Sequence, residues 1–187
     1  MIWMIGFISY TLAAGVQPIL PSLPAMHYAC PQHVVAAMDA GVLHSQVRPF
    51  VRELSSIAVI DWPEDFDQTE HLVLVEKSRA VRELQRRAGR IMRSSEDTRF
   101  RRSLLLVQAA AYLIQADFVR QLPDPPYVPA DGLKRWHTHL KDIQSALLMQ
   151  TQQSFSSMAV LPGRWRDAGL QQIAEQCAAD LNTKKGG

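Results

Sequence analysis

The sequence predicts an all-α protein, an antiparallel bundle of about five helices preceded by an apolar N-terminal leader. Three observations lead to this prediction. Apolar residues recur at intervals of three and four over most of the chain, which is the period of an amphipathic helix. Sustained alternation of polar and β-branched residues is missing, and only the short stretch 56–59 resembles a strand. Acidic and proline-containing breaks divide the chain into segments of helix length.

The leader spans residues 1–25 and belongs to a longer stretch, 1–38, that contains no Asp, Glu, Lys or Arg. Its apolar run, 2–16, has the length of a signal-peptide core, although no basic residue precedes it. Residues 2–20 also approach the length of a membrane span, which Pro18 weakens. We therefore expect export, with the protein periplasmic or membrane-anchored. In the alternative, translation starts at Met26 and the protein is cytoplasmic.

Residues 26–187 then form a single helical domain, long enough to bury a core. The first helical pattern covers 32–60, where Pro49 must either kink one helix or start a second. An acidic, proline-broken segment at 61–67 ends this pattern. A further break, 94–97, separates the next two helical patterns.

The pattern at 71–93 places apolar residues on one face only, whereas the pattern at 100–118 is apolar on nearly all sides. A helix of the second kind is normally the buried centre of a bundle. A proline-rich connector, 123–132, follows, and Asp131 is placed to cap the next helix. After a weaker break at 161–163, a last helix is predicted over 164–181.

The sharpest local feature is an arginine stripe within 71–93. Ten of the twenty basic residues lie between Lys77 and Arg102. At about 100° per residue, five of them share one helix face. We call this set the arginine stripe: Arg79, Arg82, Arg86, Arg90 and Arg93. The opposite face is apolar, with Val81, Leu84, Ala88 and Ile91.

Guanidinium groups repel one another unless an anionic partner covers them, and their planar fork suits carboxylates and phosphates. Nucleic acid is a poor fit, because the stripe holds no aromatic residue and matches no reading motif. A lipid surface fits poorly too, since the opposite face lacks large aromatic anchors; the membrane remains a partner only through the leader. An acidic protein surface is the best fit, or the chain's own acidic segment near 61–70. The alternative is that the stripe has no partner and is an ordinary solvent-exposed helix face.

The two cysteines, Cys30 and Cys177, could form one disulfide between the start of the domain and its last helix. Alternatively, Cys177 is an ordinary buried thiol. His27, Cys30 and His33 follow a metal-ligand spacing, but a zinc site needs a fourth ligand and no matching second pair follows. The sequence therefore predicts no metal and no cofactor.

Signatures of catalysis are not found: the chain has no G-x-S-x-G and no phosphate-binding loop. His137 and His139 lie two residues apart and so point away from each other on a helix. We therefore expect a non-enzymatic helical interaction or assembly protein of the bacterial envelope, docking through the arginine stripe. The alternative is a cytosolic adaptor or regulator starting at Met26 that binds an acidic protein or nucleic acid. A small all-α enzyme is disfavoured because the arginines point away from the apolar face.

Overall fold

A computed structural model describes residues 20, 23–24, 26–59, 69–122, 124–125, 127–162 and 168–183. These ranges contain α-helices and one 3₁₀ turn at Ser45–Val47, and no strand. The helices are α1 (Cys30–Asp39), α2 (Arg48–Ala58), α3 (Thr69–Ser94), α4 (Thr98–Gln121), α5 (Ala130–Val160) and α6 (Ala168–Thr183). They pack as a bundle, so the predicted all-α class is confirmed. The leader, 1–25, lies outside the described residues except for positions 20, 23 and 24.

The described helices number six rather than about five, because the first predicted pattern forms two helices. The first, α1, ends at Asp39, and Gly41, two residues later, has φ 71° and so occupies the left-handed region that favours glycine. The amide of Val42 donates to the carbonyl of Ala37 (2.9 Å) and that of Gly41 to Met38 (3.2 Å), the pattern of a Schellman cap. Pro49 lies in the first turn of α2, where its missing N–H costs nothing. It therefore starts the second helix, and 56–58 are helical rather than extended.

The centre of the bundle is α4, as its all-round apolar composition predicts. Helices α1, α2, α3 and α5 all pack on it. Four of its aliphatic side chains are among the largest that are completely buried: Leu104, Leu106, Leu113 and Ile114. Burial of each such side chain stabilises a fold by roughly 1.5–3 kcal/mol.

The boundaries of α4 and α5 follow from local chemistry. Asp97 caps α4 by accepting a hydrogen bond from the amide of Phe100 (3.0 Å), which explains the predicted break before it. The next helix, α5, begins at Ala130, so the connector is shorter than the predicted 123–132. Asp131 lies in the first helical turn and does not cap the helix. Val128 packs closely over Gly132, where a Cβ atom would lie 2.5 Å from its Cγ1.

The last helix, α6, packs against α1 and α5 and closes the bundle. Its inner face carries Leu170, Cys177 and Leu181, all buried. A disulfide joins Cys177 to Cys30, the first residue of α1, with their Cα atoms 4.6 Å apart. The two ends of the described domain are therefore covalently linked across 147 residues of sequence.

Candidate docking surface

Helix α3 lies on the outside of the bundle and positions the arginine stripe. Its inner residues Val81, Leu84 and Ala88 are completely buried against neighbouring helices. Because the opposite face of a helix then points to solvent, all five stripe arginines are exposed. Ile91, predicted on the inner face, is instead 39 % exposed. It lies at the edge of that face, close to the end of the helix.

Only one carboxylate in the described part of the chain pairs with the stripe. Glu83 lies 3.9 Å from the Arg86 guanidinium and 3.7 Å from that of Arg90. Arg82 donates through Nε to the carbonyl oxygen of Ser78 (3.4 Å), within its own helix. Ion pairs this exposed contribute about 0–1 kcal/mol each. The described residues therefore leave most of the positive charge of the stripe unneutralised.

A shallow groove crosses the stripe at Gly89, with a volume of about 510 Å³. We call it the Gly89 groove; its lining residues are Glu83, Gln85, Arg86, Gly89, Arg90 and Arg93. A Cβ atom added at Gly89 would meet only Nη1 of Arg93, at 3.9 Å. The missing side chain thus leaves the helix backbone accessible between three guanidinium groups.

Three neighbouring arginines of the sequence cluster contact other parts of the bundle. Arg87 forms an ion pair with Glu53 of α2 and lies over the ring of Phe50, 5.8 Å from its centroid. Arg99 donates to the carbonyl oxygen of Val42 (2.9 Å), after α1. Arg102 is buried and donates to the carbonyl of Leu161 (3.1 Å). These three side chains therefore contact other parts of the bundle, which the helical period of the sequence does not predict.

The acidic segment predicted as an internal partner of the stripe lies outside the described residues over 60–68. The side chain of Glu70 belongs to the same undescribed set. Trp165, between two arginines at 164 and 166, is also outside the described ranges.

Sequence reasoning missed a buried carboxylate, Asp117 of α4, whose side chain is only 1 % exposed. Its Oδ2 accepts hydrogen bonds from the backbone amides of His27 (3.0 Å) and Tyr28 (3.5 Å). Burial raises the pKa of Asp117 to about 6, and the charge of Asp180 adds to this. The two amide hydrogen bonds and the charge of Arg120 act in the opposite direction. One feature of the sequence could have indicated this buried carboxylate: Asp117 is the only charged residue in 103–119, within the helix that is apolar on nearly all sides.

The chain entering α1 is held by a second carboxylate as well. Asp180 of α6 accepts a hydrogen bond from the amide of Cys30 (3.1 Å) at the start of α1. Tyr28 is buried, and this burial, followed by the charge of Asp117, raises the pKa of its hydroxyl. Through these hydrogen bonds the two carboxylates anchor residues 27–30 to α4 and α6.

The histidine and cysteine spacing at 27–33 does not form a metal site in this state. The sulfur of Cys30 is bonded to Cys177 and has no thiolate to offer. Across the described ranges, no group of three or more His, Cys, Asp or Glu side chains is arranged to hold a metal ion. His137 pairs with Asp124 at the connector rather than with His139.

A second groove, of about 220 Å³, lies between α5 and α6. It is lined mainly by apolar groups, and its lining residues are Phe155, Met158, Gln171, Ala174, Glu175 and Ala178. It carries no cluster of charged or nucleophilic side chains. The Gly89 groove is therefore the more distinctive surface of the two.

None of the helices within the described ranges is both long and apolar enough to cross a membrane. Compared with known protein families, with characterised proteins and with solved structures, the chain shows no match.

Proposed function

We propose that this protein is a non-enzymatic docking protein that binds an acidic protein surface through the arginine stripe of α3. One observation carries the proposal: five exposed guanidinium groups share a helix face on which Glu83 is the only paired carboxylate of the described residues. Arranging like charges in this way weakens the isolated helix by like-charge repulsion. A partner that supplies carboxylates would relieve that repulsion and gain charge-assisted hydrogen bonds.

An acidic protein fits this surface better than nucleic acid does. The stripe contains no aromatic side chain on which a base could stack. The formal net charge of the chain is only +2, so the basic character is local and provides no extended electrostatic footprint. Carboxylates held in register on a protein surface would match a local row of guanidinium groups.

The envelope location belongs to the proposal and rests on the apolar leader, 1–25. Intact mass of protein purified from the fractionated native host, with and without reduction and alkylation, tests it. A mass lacking the leader, with both thiols unreactive until reduced, supports export. A mass beginning at Met26 with two free thiols would move the protein to the cytoplasm and overturn the envelope location.

Docking is tested by neutralising the stripe with the triple variant Arg82→Gln, Arg86→Gln and Arg90→Gln. Glutamine has a helix propensity close to that of arginine, so we expect α3 to fold normally, as helix content and urea denaturation would show. The matched control removes three exposed positive charges from α5, through Lys134→Gln, Arg135→Gln and Lys141→Gln.

Each protein is then used for cross-linked capture from the native host, followed by identification of the bound proteins. We expect acidic partners to be captured by the wild type and by the α5 control, and to be lost from the stripe variant. Equal capture by all three would refute docking through the stripe. Displacement of the captured material by duplex DNA alone, and not by polyglutamate, would favour the nucleic-acid alternative and contradict the proposal.

A further inference from the structure

We infer that the partner of the arginine stripe is an acidic amphipathic helix that lies along α3 and crosses it at Gly89. This inference rests on the proposed docking function and specifies the shape of the partner. It depends on the spacing of the arginines, on the Gly89 groove and on one exposed apolar residue at the end of the stripe.

The spacing favours a helix over a strand. From Arg82, the stripe advances by four, four and three residues, which at 1.5 Å per residue is a total rise of about 16.5 Å. Carboxylates on one face of a partner helix are also three or four residues apart, so their spacing along the axis matches that of the arginines. This holds whether the partner helix runs parallel or antiparallel to α3. Same-face residues of a strand repeat about every 6.7 Å, so three such intervals cover about 20 Å and fall out of register.

The Gly89 groove provides the close approach that helix packing requires. Packed helices have axes 8–10 Å apart, and small residues at the crossing point permit such a distance. At Gly89 no side chain stands between the α3 backbone and a partner, while Arg86, Arg90 and Arg93 surround the opening. A small or apolar residue of the partner can enter here while its carboxylates reach the guanidinium groups on either side.

An apolar residue continues the stripe at its N-terminal end. Val75 lies four residues before Arg79, on the same helix face, and is 50 % exposed. A ligand that binds only through its charges would not bury this side chain. An amphipathic helix that presents an apolar residue at its end would bury Val75. The partner would then match the outer face of α3 in its apolar residues as well as in its charges.

The test uses two alanine-based helical peptides of identical composition as probes. In one, four glutamates are spaced by three and four residues and share a face; in the other, they are distributed around the helix. Binding to the disulfide-intact protein is measured by fluorescence anisotropy at low ionic strength. We expect the one-face peptide to bind at least about tenfold more tightly, the factor that four exposed ion pairs together supply.

Three protein variants separate shape from charge. Gly89→Leu fills the groove while replacing a poor helix former with a good one, so it should fold and yet weaken the one-face peptide at least about tenfold. Ala146→Leu, at an exposed position of α5, is the control and should bind as the wild type does. The triple stripe variant described above should bind neither peptide.

The outcomes distinguish the inference from the function on which it rests. If both peptides bind equally, or if Gly89→Leu has no effect while the stripe variant loses binding, docking through charge stands and the helix inference is overturned. If the stripe variant binds both peptides as well as the wild type does, the proposed docking function itself fails.

Discussion

Replacing Asp117 with asparagine should remove a pH-dependent decrease in the free energy of unfolding that this carboxylate causes in the wild type. The wild-type carboxylate is buried in α4 among Tyr28, His27 and Asp180, with Arg120 as the basic group acting on it. Burial raises its pKa from 3.8 to about 6, so the folded state favours the protonated acid more than the unfolded chain does. Asparagine is neutral at every pH and retains an oxygen that can accept the amide hydrogen bonds of residues 27 and 28.

The direction in which stability changes with pH follows from proton uptake by the folded protein. Between about pH 4 and pH 6 the folded protein binds more protons at Asp117 than the unfolded chain does, so the stability due to this group falls as the pH rises. The contribution is complete below the unfolded pKa and is lost as the pH passes through about 6. A shift of roughly two pKa units at 1.36 kcal/mol each corresponds to about 3 kcal/mol.

The assay is urea denaturation followed by circular dichroism, with wild type and Asp117→Asn measured between about pH 4 and pH 7.5. Taking the difference between the two proteins cancels the titration of all other carboxylates. We expect that difference to move by about 2–3 kcal/mol in favour of the variant as the pH rises. Asp142→Asn, at an exposed position of α5, is the control and should change the free energy of unfolding by less than about 0.5 kcal/mol. Parallel curves for wild type and Asp117→Asn would refute the reasoning.

Two further predictions concern the disulfide and a helix cap. Replacing both Cys30 and Cys177 with serine opens a loop of 147 residues, so the chain-entropy model predicts a loss of about 5 kcal/mol in the free energy of unfolding. Denaturation of the wild type with and without reductant checks this, and an equal midpoint in both would contradict it. Asp97→Ala removes the acceptor of the Phe100 amide and should cost about 1 kcal/mol, whereas Asp97→Asn should keep most of the stability. Equal losses for the two Asp97 variants, measured in urea, would exclude a capping role.

Local sequence determined where the helices lie, because helix period, caps and breakers act within a few residues. The break at 94–97 is the end of α3 and the cap of α4, and Pro49 lies in the first turn of α2. The exposure of the arginine stripe follows from the same short-range rule, since an apolar face at Val81, Leu84 and Ala88 directs the opposite face to solvent. The start of α5 was predicted less accurately: the connector was expected to reach residue 132, but the helix begins at Ala130. Proline is tolerated just before and within the first turn of a helix, so the proline-rich composition did not fix this boundary.

Tertiary structure decided which charged residues are buried and which pair with another helix. The sequence predicted no partner for Arg87 or Arg102, yet Arg87 pairs with Glu53 of α2, and Arg102 is buried and donates to the carbonyl of Leu161. Asp117 is buried, and its pKa raised, because the segment before α1 folds over α4 about ninety residues further along the chain. The sequence also left open whether the two cysteines meet, and the packing of α6 on α1 brings them together. Periodicity is a local property of the chain, whereas desolvation and charge pairing depend on neighbours that only the packed bundle supplies.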